Sequence, residues 1–446
     1  MNPRHPEAIW HIDKLVPGGE GLARLADGSV GFAAGVLPGE HVEVVGSERK
    51  KGFVRATRLR VVTPAAERCE PPCVYARDCG GCDFMHIRPE RQLDFKAGLI
   101  REALSRTGGF AEFPDITLHP SPKAQGYRVR LRVHLQPGGR VGFFSERSHH
   151  LVPIEACLMA RPELNAALAQ LRRIAAEHPK LAEAFGEAEL RVAPAREGCV
   201  LRLVPRANAA GGPRKQSSFA SALAALEQVF AVHIDGQRDD SEQTYSLTFA
   251  AESAAGEPQL EAIRLQVPAS AFVQVNWEVN CALVEHIVGG ALERRAKRFL
   301  DLYSGVGNFT LPLARAGLGG EAVEANRGAA EAARRGLAAS NLPVEVRAEP
   351  AEQFVQRLAT RVAQTGAREP FDLVVLDPPR AGARDLIEAL ARLAPRFIAY
   401  CACDPVTLAR DLKSLCAGGY ALDSIHAFDM FPGTHHVETL VWLRRM

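Results

Sequence analysis

The segment Tyr400–Asp411, YCACDPVTLARD, puts a cysteine where an apolar run gives way to a helix-forming stretch. A thiol at such a junction faces the positive end of the helix, which favours the thiolate and makes Cys403 a candidate nucleophile. Cys401 shares its strand face, and a thiol there needs no role beyond packing, so Cys401 is read as core. Downstream, Asp429–Glu438 reads DMFPGTHHVE and carries His435, His436 and Glu438 on a loop into the last strand. A carboxylate so placed can take a proton, making Glu438 a candidate base, whereas both histidines could equally face solvent.

A second group of residues suits a cofactor. Asp301–Phe309, DLYSGVGNF, is a strand running through a glycine loop into a helix, and Gly305 and Gly307 let backbone approach a ligand at the helix N-terminus. The loop lacks the third glycine of GxGxxG, which counts against NAD. Glu324 closes the second strand about 20 residues later, where an acid can accept from ribose hydroxyls. Together these features indicate a nucleoside-bearing cofactor. In DPPR, two prolines hold an extended exit from the strand FDLVVL and leave Asp377 displayed at its end. Gln274 and Asn276, in FVQVN, add neutral donor–acceptor side chains able to read a base edge or a cofactor.

Ten cysteines in a chain with no secretory segment point to metal binding or catalysis rather than disulfides. Cys69, Cys73, Cys79 and Cys82 crowd into one segment. The spacing C-x5-C-x2-C, with one distant thiolate, supplies the four sulfurs of an iron–sulfur cluster, and Gly80 and Gly81 allow a tight wrap. A zinc site with four cysteines is the competing reading. Lys123, Arg128, Arg130, Arg132, Arg140 and Arg147 lie in a stretch almost free of acids. Three of them alternate along one strand face, which suits phosphate contact or a solvated surface.

These residues need a scaffold, and the pattern supplies one. After Phe272, apolar strands (FLDLYS, GEAVEA, VEVRA, FDLVVLD, RFIAYCA) alternate with helical stretches such as RGAAEAARRGLAAS and DLIEALARL. Such alternation predicts an α/β fold with a doubly wound parallel sheet and ligands beyond its carboxyl ends. YALDSIHAFDMF and HHVETLVWLRR read as an antiparallel hairpin at the sheet edge. Residues 12–62 alternate apolar and polar positions between glycine turns, as a small antiparallel barrel does. Helices are expected over 90–107 and 162–176, strands over 126–154, and a turn-rich loop over 206–218. The resulting division is 1–66 (barrel), 67–270 (a central α+β domain bearing the cysteines) and 271–446 (the doubly wound domain). At 446 residues and 47% hydrophobic, the chain can fill such cores, and a net charge of +2 leaves any nucleic acid to local basic patches. No run reaches the roughly 18–20 apolar residues of a membrane helix, and a cytoplasmic address with no membrane partner is expected.

FVQVN, DLYSGVGNF, DPPR, YCACDPVTLARD and DMFPGTHHVE, in this order, resemble the signature blocks of the S-adenosylmethionine-dependent RNA uridine-5-methyltransferases, which act on bacterial 23S rRNA and on tRNA. The resemblance covers nearly the whole chain. It implies a Rossmann-like class I methyltransferase domain in which Cys403 adds to uracil C6 and Glu438 removes the C5 proton. Gln274, Tyr303, Asn308, Glu324 and Asp377 would line the cofactor and reaction pocket. GEGLARLADGSVGFAAGVLPGEHVEVV is similar to a TRAM domain, an RNA-binding barrel. Cys73, Cys79, Cys82 and Cys157 are similar to the family's [4Fe–4S] ligands, with Cys69 a neighbour. Two positions depart from the pattern: Asp404 stands where Asn is usual, and Pro350 occupies the acidic position after the third strand, leaving Glu349 or Glu352 for the adenine. The TRAM-like and four-cysteine features favour 23S rRNA over tRNA as partner. A redox-sensing RNA-binding protein built on the same fold is the alternative from another class; it would need neither Cys403 nor Glu438. A monomer is expected.

Overall fold

The computed structural model describes residues 8–192, 198–206, 223, 226–235, 243–252, 258–365 and 371–446. The loop expected over 206–218 lies, apart from Arg206, outside them. Its largest sheet has eight strands in the order Glu345–Arg347, Gly319–Val323, Arg298–Leu302, Leu373–Leu376, Phe397–Ala402, Glu438–Arg445, Tyr420–Phe428 and Ile116–His119. The first five run parallel. Leu373–Leu376 is buried at every position, as a strand covered on both faces must be. Side chains alternate between two apolar layers: Phe299, Leu373 and Val375 enter one, and Leu300, Leu302, Val374 and Leu376 enter the other.

Strand order reverses at Arg298–Leu302, so the crevice for ligands opens beyond that strand and Leu373–Leu376, where the glycine loop and Asp377 emerge. The hairpin forms as expected but is not the edge. Glu438–Arg445 inserts antiparallel between Phe397–Ala402 and Tyr420–Phe428, and Ile116–His119 pairs parallel with the latter. The helix Pro89–Ala103, which widens into a π-turn over Leu104–Gly108, packs Leu93, Ala97 and Ile100 into the same layer as Leu376 and Val441. The eight-stranded sheet therefore draws a helix and a strand from well before residue 271.

Residues 8–63 form a six-stranded sheet with its own core of Trp10, Ile12, Val42, Val44 and Val54. It is not wholly antiparallel, because Val30–Phe32 pairs parallel with Phe53–Arg55. A second six-stranded sheet spans Arg130 to Ile234, covered by the helix Pro162–Glu177, with a hairpin Gln243–Glu252/Pro258–Val267 beyond it.

Candidate active site

Cys403 follows the last residue of Phe397–Ala402 and precedes the helix Pro405–Ala417. Asp404 caps that helix, its carboxylate accepting from the backbone N–H of Val406 and Thr407 at 2.9 Å each. Such a cap is worth about 1 kcal/mol, and it absorbs the helix end that was expected to activate the thiol. Burial instead pushes Cys403 up to about 12, with Glu438 and Asp377 adding to the rise and Arg380, hydrogen-bonded to it, opposing them. At rest the Cys403 side chain is a neutral thiol. Cys401 is fully buried in the core.

Glu438 opens its strand opposite Phe428 and is 2% exposed, with Oε1 lacking any hydrogen-bond partner among the described residues. Burial, and then Asp377, holds its carboxyl well above the usual range. Asp377 keeps some residue surface while its carboxyl is enclosed, and burial lifts it to about 7. Gln274 donates to it through Nε2 at 3.4 Å. Asp301, 1% exposed and bonded by Thr310 at 2.5 Å, is also lifted to about 7 by burial, against the Thr310 bond, with Asp377 and Glu324 contributing. Three acids and a thiol are thus electrostatic neighbours, Asp377 acting on Asp301, Glu438 and Cys403 alike. Leaving charges that close together unpaired is costly, so the site rests largely protonated.

Around the glycine loop, Glu324 accepts from the N–H of Gly305 at 2.8 Å and of Asn326 at 2.6 Å, bracing the loop against the neighbouring strand end. Tyr303 has φ of 62° and donates its hydroxyl to Glu352 at 2.6 Å. Glu349 instead pairs outward with Arg357 at 2.6 Å, so of the two candidate acids only Glu352 reaches the loop. Asn308 exchanges hydrogen bonds with Asn280 at 2.9 and 3.0 Å. The buried Ser304 hydroxyl lacks a partner among the described residues. Asn276, read as a base or cofactor contact, is instead the cap of the helix Trp277–Glu293 and is fully buried.

Residues 90–446 match the family described as tRNA (Uracil-5-)-methyltransferase. The chain belongs to that family. Over 96% of its length it is 33% identical to the 23S rRNA (uracil(1939)-C(5))-methyltransferase of Pectobacterium atrosepticum, covering 92% of that protein. It is 34% identical to the corresponding enzyme of Pseudomonas putida with the same coverage of each chain. Its fold is similar to that of the Pyrococcus abyssi tRNA (uracil-54, C5)-methyltransferase in complex with S-adenosyl-L-homocysteine, with a TM-score of 0.69 at 24% identity over 98% of this chain and all of the other. The protein is accordingly an RNA (uracil-5-)-methyltransferase.

The loop that delivers Glu438 is held from outside the methyltransferase sheet. Lys96, fully buried, donates to Asp429 at 2.5 Å and to the Phe431 carbonyl at 2.9 Å. Tyr127 donates to the Pro432 carbonyl at 3.0 Å, and Gln92 accepts from Gly433 at 2.7 Å. Asp83, next to Cys82, accepts from the His435 backbone at 2.8 Å and bonds its ring. His436 meets Arg380 at 3.0 Å, and Arg380 reaches Cys403. Neither histidine is a solvent-facing bystander. Spacing gave no sign of Asp83, which lies 352 residues from its partner. Arg380 was inside a recognised motif without an assigned task.

Cys73, Cys79, Cys82 and Cys157 line a single cavity of about 220 Å³ in this methyltransferase, together with Tyr75, Met85 and Arg128. Cys69 lies outside it and its Sγ meets the Met85 carbonyl at 3.5 Å. Gly80 is required by close approach, since a Cβ would stand 2.7 Å from the Glu146 backbone nitrogen. The basic face is not as expected. Arg128 precedes the strand Arg130–Gln136, turns to the cysteine cavity and bonds the Tyr127 hydroxyl at 3.3 Å. Arg130 approaches Glu189 at 3.6 Å and lies over Phe272, while Arg132 pairs with Glu187. Acids from the adjacent strand Phe185–Val192 neutralise what looked like an acid-free surface.

Proposed function

We propose that this enzyme methylates carbon 5 of a uridine in 23S rRNA through a bond from Cys403 to uracil C6. The observation that carries the chemistry is a buried thiol, Cys403, close enough to feel the charge of a buried carboxyl whose Oε1 has no partner among the described residues, Glu438. A binding module would gain nothing from that arrangement, because an unsatisfied buried carboxyl only costs stability. The rRNA assignment is supported by relatives similar over nearly the full chain that carry that name.

The thiol proton leaves to the ionised form of Asp377 while Arg380 favours the thiolate, and Glu438 gives up its own resting proton before it acts as base. As Sγ bonds to C6, the C5=C6 electron pair moves toward O4, making C5 nucleophilic. S-adenosylmethionine supplies the methyl group as an electrophile. Glu438 then takes the C5 proton, the double bond re-forms and Cys403 leaves as thiolate. Gly305, Tyr303 and Glu324 shape a loop suited to an adenosyl ligand, and the unpartnered Ser304 hydroxyl offers a contact there; Gln274 and Asn308 border the same space. The target base must leave its stack to enter.

The four-cysteine cavity fits a [4Fe–4S] cluster, with four cysteines and Arg128, Arg130 and Arg132 lining it; such a cluster would supply a rigid cross-link between Cys157 and the 73–82 segment. The sheet of residues 8–63 fits a TRAM-type RNA-binding barrel. A cleft of about 760 Å³ lined by Gly18 and Gly35 of that sheet, Cys79 to Asp83, and His435 and His436 gives an unpaired strand a route toward Cys403. Cytoplasmic action on RNA follows from this reading. Mapping 5-methyluridine in 23S rRNA and tRNA from cells lacking the gene tests it: loss at an rRNA uridine is expected, and loss confined to tRNA would reassign the substrate.

A further inference from the structure

Three histidines from separate elements meet at the far edge of the catalytic sheet. His119 ends the strand Ile116–His119, His286 lies on the helix Trp277–Glu293, and His426 lies on Tyr420–Phe428. Their rings sit 4.4 Å (119–286), 4.9 Å (286–426) and 5.3 Å (119–426) apart between centroids. One nitrogen from each falls within 4.8 Å of the others.

We propose that His119, His286 and His426 form a binding site for a divalent transition metal of the zinc class. Each residue is half-buried, so the cluster is not sealed within the core. Three imidazoles with one open position is a donor set zinc accepts, with Zn–N distances of about 2.0–2.1 Å. Reaching them requires the rings to close by up to about 1.5 Å, since two nitrogens at tetrahedral angles on one such ion stand about 3.3–3.4 Å apart. His119 Nε2 and His426 Nδ1 already approach to 3.1 Å. The outer nitrogen of His426 is fixed by Ser424 Oγ at 3.1 Å, the second hydrogen bond that orients a ligating ring. Phe428 stacks on His119 at 4.2 Å and holds its plane. No carboxylate bonds these rings among the described residues, and the proton shared between His119 Nε2 and His426 Nδ1 moves to an outer ring nitrogen when a metal binds.

The consequence is mechanical rather than catalytic. A metal here would pin the added edge strand and the helix Trp277–Glu293 to the hairpin whose loop carries His435 and whose second strand begins with Glu438. The inference does not depend on the uridine assignment.

The test is a titration of the full-length, anaerobically purified protein with Co²⁺. One equivalent should bind with ligand-field bands but without the thiolate charge-transfer that cobalt at the cysteine cavity would show, and Zn²⁺ should displace it. His286→Gln and His119→Gln should each weaken this Co²⁺ affinity by more than about tenfold. Should His286→Gln fail to fold, His426→Gln with His119→Gln gives the same reading. Absence of a saturable sulfur-free spectrum, or its persistence with unchanged affinity in the folded variants, would overturn the site.

Discussion

Asp83 holds His435 by two hydrogen bonds, one to its backbone N–H and one to its ring, across 352 residues of sequence. Asp83 is covalently next to Cys82, and His435 sits three residues before Glu438 on the same loop. Gly19 of the N-terminal sheet packs on the same histidine, so closely that a Cβ there would lie 2.8 Å from His435 Cβ. The cysteine segment and the N-terminal sheet therefore converge on the loop that places Glu438, rather than on each other alone.

Asp83 should act as a positioning residue. Asp83→Ala frees the loop, and a misplacement on the order of 1 Å near reacting groups can cost about a hundredfold in rate. We expect kcat to fall between about ten- and a hundredfold, with KM for S-adenosylmethionine and iron content unchanged. Asp83→Asn, which keeps one acceptor, should recover part of the loss. Iron loss in step with activity would show that the residue serves the cysteine cavity instead.

Asp377 should trade stability for function. Its folded-state value, about 7, is raised from an ordinary 3.8. The protonated form is thus favoured by folding; the stabilisation is complete below the unfolded value and is lost as pH rises through about 7. At pH near 8 the ionised, enclosed carboxylate is a burden on the order of a few kcal/mol. Asp377→Asn should therefore raise the melting temperature more at alkaline than at acid pH. It should also bring the Cys403 thiol down, since a carboxylate that raises it is gone, while methylation falls. A melting temperature that drops equally at both pH values would contradict this balance.

Local pattern and long-range packing divide the outcome. Leu373–Leu376 and Phe397–Ala402 were readable because a strand buried on both faces must be apolar throughout. Ile116–His119 was not: only four residues long, with Pro114 and Pro120 near its ends, it reads as a loop and exists through pairing with a strand some 300 residues later. The alternation of Arg128, Arg130 and Arg132 was visible, but Glu187 and Glu189, which meet the latter two, arrive on a neighbouring strand. The state of Cys403 was misjudged for the same reason. A helix N-terminus is a local feature, whereas Glu438 and Asp377 reach the thiol only through the sheet.

Arg128 separates from its two neighbours in a measurable way. Arg128, Arg130 and Arg132 all line the cavity of Cys73, Cys79, Cys82 and Cys157, but Arg128 is the one whose charge favours the thiolates of Cys79, Cys82 and Cys157. Arg128→Leu should speed iron loss on air exposure and lower the reduction potential of a bound cluster, since removing a cation disfavours added electrons. The salt dependence of RNA binding should stay as in the wild type. Arg132→Ala, by contrast, should leave the cluster intact. If Arg128→Leu flattens the salt slope with the cluster undisturbed, its role is phosphate contact after all.

The two catalytic residues act at opposite ends of the proposed cycle, so their losses should differ in kind. Cys403→Ala removes the atom that bonds C6; it should neither methylate nor trap RNA, yet should still bind S-adenosylmethionine. Glu438→Gln keeps the nucleophile and removes the base. Methyl transfer can then proceed but elimination stalls, because the C5 proton has no acceptor. A protein–RNA adduct carrying the transferred methyl group should accumulate, visible as a slow band under denaturing conditions. RNA containing 5-fluorouridine should trap the wild-type enzyme likewise, since fluorine cannot leave as a proton does. Glu438→Gln also replaces a buried acid whose Oε1 lacks a partner by a neutral amide of similar shape, so the protein should fold at least as well as the wild type. Adduct formation by Cys403→Ala at wild-type rates would move the nucleophile, with Cys401 the nearest thiol on the same strand. No adduct from active wild-type enzyme with fluorinated RNA would refute covalent catalysis.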